Sequence, residues 1–334
     1  MIKNKTFIIA EAGVNHNGKL EIALQLCDAA KKAGADAVKF QTWKTEAIIT
    51  KAVAQAEYQI ENTGKTVPQF EMLKALELSY SDFEKIKSYC DSIGLLFLST
   101  ADEKESLDFL INLKVPMLKI GSGEITNIPF LRYAGSKNIP VILSTGMSSL
   151  ADVDTAYRVL KSVGAADVTL LHCTTNYPCP MRAVNLKAMQ TLYAAFHCPV
   201  GYSDHTVGDE VAIAAVALGA SVIEKHFTLD VTMEGPDHAA STNPKDFAAM
   251  VQKIRNIENA LGSGLKFPTQ AEVKISEVVL KRIVAKTSIA CGEKFCEDNI
   301  TVKRSSEGVP ASLWDFVIGV SAKKNFTADE GIVL

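Results

Sequence analysis

The chain has no excess of charge of either sign. Its 35 Lys and Arg against 38 Asp and Glu leave a formal net charge of -3, so the basic footprint of a nucleic-acid-binding protein is missing. Long apolar runs are missing too: nothing approaches the roughly 18 consecutive apolar residues that a membrane-spanning helix requires. Near the N-terminus the apolar stretch Phe7–Ala10 ends at Glu11, too short for the hydrophobic region of a secretory signal. The seven cysteines are odd in number and scattered, and Cys173/Cys179 and Cys291/Cys296 lack zinc-knuckle spacing. Reduced thiols, mostly buried as small apolar residues, are expected. Gly121-Ser122-Gly123 lacks the third glycine and the strand-opening context of a dinucleotide fingerprint. What these absences leave is a cytoplasmic enzyme of small molecules, with neither a nucleic acid nor a membrane as partner.

What is present is a rhythm. Short apolar runs recur at Phe7–Ala10, Ala37–Phe40, Leu95–Leu98, Pro116–Ile120, Pro140–Leu143, Val168–Leu171, Pro199–Tyr202 and Ser221–Ile223. Nearly every one ends in a residue capable of chemistry. Helical spacing fills most of the intervals, as in Leu20–Lys32, Ser81–Ile93, Leu150–Val163, Asn185–Phe196, Gly208–Leu218 and Pro244–Leu261. Ser81, three residues before Glu84, reads as an N-cap. Strands alternating with helices predict an α/β fold, a closed (β/α)8 TIM barrel, whose active site gathers at the C-terminal ends of the strands. The connection Thr45–Leu78 is long for such a barrel, and a lid over the mouth and a plain surface excursion are both open readings.

A barrel takes about 250 residues, and this chain has 334. Gly, Ser, Pro and Thr cluster around Gly262–Ala271, so the barrel is expected over 1–265, a linker over 266–280 and a small β-rich domain over 281–334. In that last part, Arg282–Ala290 and Asn299–Lys303 read as short strands. So small a unit is marginal alone and is expected to pack on something, either as a structural cap or to bring Lys303-Arg304 to an active site.

Three constellations carry chemistry. His205 and His226 end the seventh and eighth runs; adjacent parallel strands lie about 4.8 Å apart, so the two imidazoles can share one divalent ion such as Mn2+. Lys39 and Lys119 stand in otherwise apolar strands, where an ammonium must snorkel or be paired. With Thr100, Ser122, Ser144, Asn176 and Ser203 at the same rim, and backbone amides exposed by Gly121, Gly123 and Gly146, they outline a pocket for a phosphate and a carboxylate. Glu11, Glu124 and Asp237 add carboxylates able to hold hydroxyls or move protons. His238, in the last loop, is a weaker candidate for substrate contact.

The ordered motifs Ile9-Ala10-Glu11-Ala12-Gly13-Val14-Asn15-His16-Asn17-Gly18, Val38-Lys39-Phe40-Gln41, Lys119-Ile120-Gly121-Ser122-Gly123-Glu124, Leu143-Ser144-Thr145-Gly146-Met147, Leu171-His172-Cys173-Thr174, Ser203-Asp204-His205-Thr206, Glu224-Lys225-His226-Phe227-Thr228 and Gly235-Pro236-Asp237 resemble those of the bacterial sialic acid (nonulosonic acid) synthases. That family includes N-acetylneuraminate and N,N'-diacetyllegionaminate synthases. The resemblance implies condensation of phosphoenolpyruvate with an N-acetylmannosamine-type sugar and release of phosphate by C–O cleavage. It implies a C-terminal antifreeze-like (SAF) domain swapped over the partner's barrel in a homodimer. By motif match, His205 and His226 would hold Mn2+ (or Mg2+ or Co2+). Lys39, Thr100, Lys119, Ser122, Ser144, Asn176 and Ser203 would hold phosphoenolpyruvate. Glu11, Gln41, Tyr177 and Asp237 would contact the sugar, and Arg304 its N-acetyl group. Lys39, Lys119 and Glu124 would be catalytic, the lysines neutralising the leaving anion and Glu124 serving the cationic centre or its water.

Two motifs depart from the family. Ser99-Thr100-Ala101-Asp102 replaces Ser-Thr-Pro-Phe, and Lys303-Arg304-Ser305-Ser306-Glu307-Gly308 replaces Lys-Arg-Pro-Gly-Asn-Gly. Two other functions compete with the synthase. A Schiff-base aldolase would use Lys39 or Lys119 as its amine nucleophile, and a non-catalytic protein would bind carbohydrate only.

Overall fold

A computed structural model describes residues 5–55 and 67–334. It divides into two compact units, Met1–Ser263 and Gly264–Leu334.

The first unit is a closed barrel of eight parallel strands in the order β1-β2-β3-β4-β5-β6-β7-β8. These are β1 Phe7–Gly13, β2 Ala37–Thr42, β3 Leu96–Ala101, β4 Leu118–Ile120, β5 Val141–Ser144, β6 Val168–Cys173, β7 Val200–Asp204 and β8 Val222–His226. Each coincides with one of the apolar runs, and all but β4 extend past it on the C-terminal side into the polar residues that end it. The extension follows from the pleat. Alternate residues face inward, so Ile9 and Glu11, Ala37 and Lys39, Leu98 and Thr100, Ile142 and Ser144, and Val222 and Glu224 share one face of their strands. The lower members Ile9, Ala37, Leu98, Ile142, Leu171 and Val222 pack into an apolar floor inside the barrel. The upper members form its polar mouth. The outward residues, such as Ile8, Val38, Phe97, Leu170 and Ile223, join the main core under the helices.

Register fixes which polar groups meet. Glu11 is level with Lys39 on β2 and with His226 on β8. Thr100 is level with Lys119, Cys173 with Ser203, and Ser203 with Glu224.

The helices form where apolar residues recur at i, i+3, i+4 and i+7. Leu20–Lys32 buries Ala23, Leu26, Cys27 and Ala30, and Pro244–Leu261 buries Phe247, Met250, Val251 and Ile254. One expected cap is displaced. The helix Tyr80–Ile93 is capped by Ser79, whose hydroxyl accepts from the Asp82 amide, so Ser81 lies inside the first turn. Helices Lys104–Asn112 and Ile128–Gly135 complete the alternation where no helix is legible in the sequence. In the long connection, Thr45–Ile48 and Gln69–Leu76 are helical. Ala56 to Gln59, Asn62 and Gly64 fall outside the described residues, and with them the lid reading. Among the described residues no helix is long and apolar enough to cross a membrane.

The second unit pairs β9 Lys281–Ala285 with β10 Ile300–Arg304 antiparallel, over a small core that includes Ile283, Phe295, Ile300 and Phe326. The stretch 266–280, read as a linker, contains the helix Gln270–Val279, opened by a reciprocal Thr269–Glu272 capping box.

Outside the polar mouth, the strand ends carrying the two candidate metal ligands are tied together by a buried ion pair. Lys225 Nζ on β8 donates to Asp204 Oδ2 on β7 at 2.7 Å and to the Thr206 carbonyl at 2.7 Å. Asp204 Oδ1 in turn accepts from the Thr206 amide and hydroxyl. Removing one partner of such a pair strands the other in a low dielectric. Lys225→Met is expected to destabilise the barrel by about 3–5 kcal/mol in urea unfolding, with partial recovery in Asp204→Asn/Lys225→Met; a loss below about 1 kcal/mol would show that the pair is solvated.

Candidate active site

At the C-terminal end of the barrel the upper members of the strands enclose a cleft of about 180 Å³. Two ammonium groups lie at its base, both buried. Lys39 Nζ forms an ion pair with Glu11 Oε2, donates to Thr100 Oγ1 at 3.1 Å and lies 4.0 Å from Glu224 Oε2. Lys119 Nζ donates to Ser144 Oγ at 2.8 Å and lies 3.3 Å from Glu224 Oε1. The same Glu224 oxygen accepts from Ser203 Oγ at 3.1 Å, and Gln41 Nε2 donates to Glu11 Oε1 at 3.2 Å.

The cluster therefore holds two cations and two carboxylates, and the carboxylates are not equivalent. Burial works against the charge of Glu224, but the Lys119 and Lys39 ammoniums outweigh it and hold the group down at about 2. Glu11 has Lys39 as its close cation and Glu224 as a repulsive neighbour, so burial prevails and pushes it up to about 7. Lys39 is held charged against burial by Glu11 and Glu224. The base thus pairs two ammoniums with one carboxylate held ionised and one shifted toward its protonated form. An incoming anion can take over the ammoniums while Glu11 protonates, which leaves no buried charge unpaired.

The imidazoles stand at one side. His205 and His226 have ring centres 5.5 Å apart. His205 Nδ1 lies 2.7 Å from the Thr174 carbonyl, which can only accept, so Nδ1 carries the proton and Nε2 keeps its lone pair. His226 Nδ1 is buried and has no hydrogen-bond partner. Burial lowers both rings below the usual histidine range, and for His226 the neighbouring His205 and Lys39 add to it. Neutral imidazoles, one oriented through its second nitrogen and one with an orphaned nitrogen, fit a divalent cation. Among the described residues no group of three His, Cys, Asp or Glu side chains makes a metal cage, so such a cation would complete its coordination with oxygens from solvent or substrate. Tyr177 covers the pair, its ring 4.2 Å from that of His205.

Ser122 also lines the cleft, and its hydroxyl accepts from the Gly146 amide at 2.9 Å. A side chain at position 146 is excluded, because a Cβ there would lie 2.3 Å from Thr175 Oγ1 and 2.8 Å from Ser122 Oγ. Of the expected residues in the barrel unit, Asp237, Asn176 and Glu124 are not among those lining the cleft. Asp237 lines an adjoining lobe, which shares Gln41, Tyr177 and His226 with the cleft. Asn176 is exposed and is not among the cleft-lining residues. Glu124, on the turn Ser122–Glu124, is half-buried and accepts from Asn127 Nδ2 at 2.5 Å. Arg304 is at the exposed end of β10 in the second unit. His238 is fully buried and bonded to Thr228 and Asn17, which explains it as a structural residue. Two lining residues were missed as site candidates. Glu224 is two residues before His226 on one strand and so shares its face, a signal that period-two counting supplies. Asp102, which burial and the charge of Glu124 push up to about 7, stands at a position where the family motif has an apolar residue, and only the fold shows it facing the lysines.

A closed (β/α)8 barrel with paired ammoniums, a proton-exchanging carboxylate and two neutral imidazoles at its C-terminal mouth is an enzyme of the barrel class. The chain belongs to the NeuB family, whose model matches residues 26–266. It is 46% identical over 326 residues to N,N'-diacetyllegionaminic acid synthase of Legionella pneumophila, covering 96% of this chain and 92% of that protein. It is also 46% identical, over 328 residues, to N,N'-diacetyllegionaminic acid synthase of Campylobacter jejuni, covering 98% of each. The crystal structure of N-acetylneuraminic acid (sialic acid) synthetase from Leptospira borgpetersenii, in complex with citrate, matches with a TM-score of 0.72 at 34% identity, over 83% of this chain and 93% of that one.

If the two ammoniums form an anion site, the protein binds inorganic phosphate in calorimetry, and Lys119→Met weakens that binding about 10- to 100-fold, the range for losing a charged hydrogen bond. Unchanged affinity would place the anion elsewhere.

Proposed function

We propose that this enzyme condenses phosphoenolpyruvate with an N-acetylated mannosamine-type sugar to give a nonulosonic acid, of the sialic or legionaminic kind, and phosphate. The observation that carries this reading is the junction, in one cleft, of a lysine-lined anion pocket with a pair of neutral imidazoles. One side suits a phosphate and a carboxylate, and the other suits a sugar carbonyl. The relatives named as N,N'-diacetyllegionaminic acid synthases support the product class.

In this mechanism Lys39 and Lys119, with Thr100, Ser122, Ser144 and Ser203, orient phosphoenolpyruvate so that its C3 faces the aldehyde carbon of the open-chain sugar. Asn176 belongs to the same set by motif. A divalent cation such as Mn2+, Mg2+ or Co2+ fits His205 and His226, and when bound it would supply Lewis-acid polarisation of the aldehyde. Glu11, Gln41, Tyr177 and Asp237 hold the sugar hydroxyls, and Glu11 has the proton affinity to protonate the new alkoxide. C3 bonds to the aldehyde carbon, and water adds at the cationic C2 of the former phosphoenolpyruvate. By motif Glu124, next on the turn to the cleft-lining Ser122 and Gly123, would stabilise that cationic centre or take the proton of the water. The bond between C2 and the phosphate ester oxygen then breaks, the C2 hydroxyl gives its proton to the departing phosphate as the ketone forms, and the phosphate is received by ammoniums already in place.

A Schiff-base aldolase requires a neutral, pKa-lowered amine. Lys39 is shifted the opposite way, and Lys119 is ion-paired with Glu224, so the geometry disfavours that chemistry. The second unit is read as the antifreeze-like domain of a homodimer, with Arg304 reaching the N-acetyl group in the partner's barrel.

Phosphate release from phosphoenolpyruvate is expected to require the sugar, to stop with EDTA and to return with Mn2+. Release with neither N-acetylmannosamine nor 2,4-diacetamido-2,4,6-trideoxymannose would overturn the proposal, and so would a borohydride-trapped lysine adduct. His226→Ala is expected to abolish turnover and weaken Mn2+ binding at least 10-fold by electron paramagnetic resonance. Mixed with Arg304→Ala subunits it regains part of the activity if Arg304 acts across the dimer; no recovery would confine Arg304 to its own subunit.

A further inference from the structure

The strand β3 ends at Ala101, yet its ladder runs one residue further, because the Asp102 amide donates to the Thr42 carbonyl at 3.3 Å. Alternation along the strand puts Leu98, Thr100 and Asp102 on one face. Leu98 belongs to the apolar floor, Thr100 accepts from Lys39, and Asp102 lines the cleft above them. Thr100 is level with Lys119 on β4. Two residues further along the same strands come Asp102 and Gly121, both in the cleft lining. Asp102 is therefore placed one pleat step, about 6.6 Å of strand, above the groups that hold the anion.

Its carboxyl is uncommitted. Among the described residues no hydrogen bond or ion pair engages the Asp102 side chain. By contrast, Glu11 and Glu224 are each paired with a lysine, and Glu124 accepts from Asn127. The charged groups that face Asp102 are Glu124, Lys39, Glu11 and Lys119, from the turn after β4 and from β2, β1 and β4. Burial and Glu124 push it up to about 7, against the pull of the two lysines. A free carboxyl that keeps its proton more readily than an ordinary aspartic acid is equipped to hand one over. The family motif has an aromatic residue at this place, so the group belongs to this chain and not to the common site.

Condensation followed by addition of water leaves C2 carrying both a hydroxyl and a phosphate ester. With the phosphate on Lys39 and Lys119, C2 stands above it, at the level of Asp102. We propose that Asp102 is a further catalytic residue, a relay that carries the proton of the C2 hydroxyl to the departing phosphate. One oxygen of the carboxyl gives its proton to the ester oxygen as the C2–O bond breaks and its electron pair leaves with the phosphate. The other oxygen takes the hydroxyl proton as the C2 carbonyl forms. The carboxyl ends as it began, and no proton is gained or lost. This rests on the reading of the cleft as the condensation site.

Bond formation and breakdown can be timed separately: the first removes the enol absorbance of phosphoenolpyruvate, and the second releases phosphate. Asp102→Asn is expected to lower kcat at least about 10-fold. Direct transfer between the two oxygens survives, so the loss falls toward the low end of the roughly 10²- to 10⁴-fold effects of general acid–base catalysis. The KM of each substrate is expected to change less than about threefold, as for a group that acts in the chemical step. Rapid mixing of this variant with both substrates is expected to show a burst of enol loss, up to one equivalent per site, ahead of slow phosphate release. Asp102→Glu keeps the acid and is expected to recover most of kcat without the burst. If the Asn variant does not fold, Asp102→Phe, the residue of the family motif, takes its place with the same two readouts. A kcat within about twofold of wild type would overturn the relay. So would enol loss and phosphate release slowed together, or a Glu variant as slow as the Asn variant. Wild-type enzyme that releases no phosphate with either sugar would instead sink the condensation reading itself.

Discussion

Two lysine ammoniums held inside a barrel, with the carboxylates of Glu11 and Glu224 as close counter-charges, set the terms for everything around them. Each ion removed from water costs several kcal/mol unless its partners are well placed. Lys39 and Lys119 meet that condition through Glu11 and Glu224, with Thr100 and Ser144 accepting further hydrogen bonds. The arrangement is costly to hold and easy to exchange. Glu224 spans both ammoniums and stays ionised. Glu11 is pushed above the usual carboxylate range by burial and by the charge of Glu224, so it is the more readily protonated of the two.

The barrel makes this possible by splitting each strand in two. Below, Ile9, Ala37, Leu98, Ile142, Leu171 and Val222 form an apolar floor that keeps the local dielectric low. Above, the next inward residue on each strand is polar. Parallel register then brings Glu11 level with both Lys39 and His226. No loop has to fold correctly for these contacts to form. On the outside of the same strands, Lys225 and Asp204 clamp β7 to β8, so the two imidazoles share a rigid support although the chain between them runs through a whole helix.

Much of this is legible in the sequence because period two is a strong signal where a strand is apolar. All eight strands and the helices Leu20–Lys32 and Pro244–Leu261 follow from it and from helical spacing, and so do the positions of Lys39, Lys119, His205 and His226. The failures have physical causes. Ser79 and Ser81 both precede an acidic residue by three positions, and only backbone geometry distinguishes the cap. The helices Lys104–Asn112 and Gln270–Val279 were lost for opposite reasons. The first is short and follows a motif read only for chemistry, and the second follows a Gly/Ser/Pro/Thr cluster that reads as loop. Glu224 ends the eighth run with His226, and the pleat sends it to the mouth and its neighbour Lys225 to the opposite face. Where Asn176, Glu124 and Arg304 stand depends on loops and on a second unit, which strand periodicity does not describe.

The walls of the two cavities divide the chemistry in a way that the shared barrel explains. The ion pairs and the imidazoles come from strand ends, where register sets which groups meet. The apolar wall of the adjoining lobe, Met72, Leu73 and Leu76, comes from a helix inserted in the connection after β2. That connection touches the barrel through Gly18 and a small separate core, so its side chains can change without disturbing the ion pairs at the base. Precise electrostatics belongs on the strands because an ångström of error there leaves a charge unpaired. An apolar wall tolerates looser geometry, since burial is non-directional and scales with area.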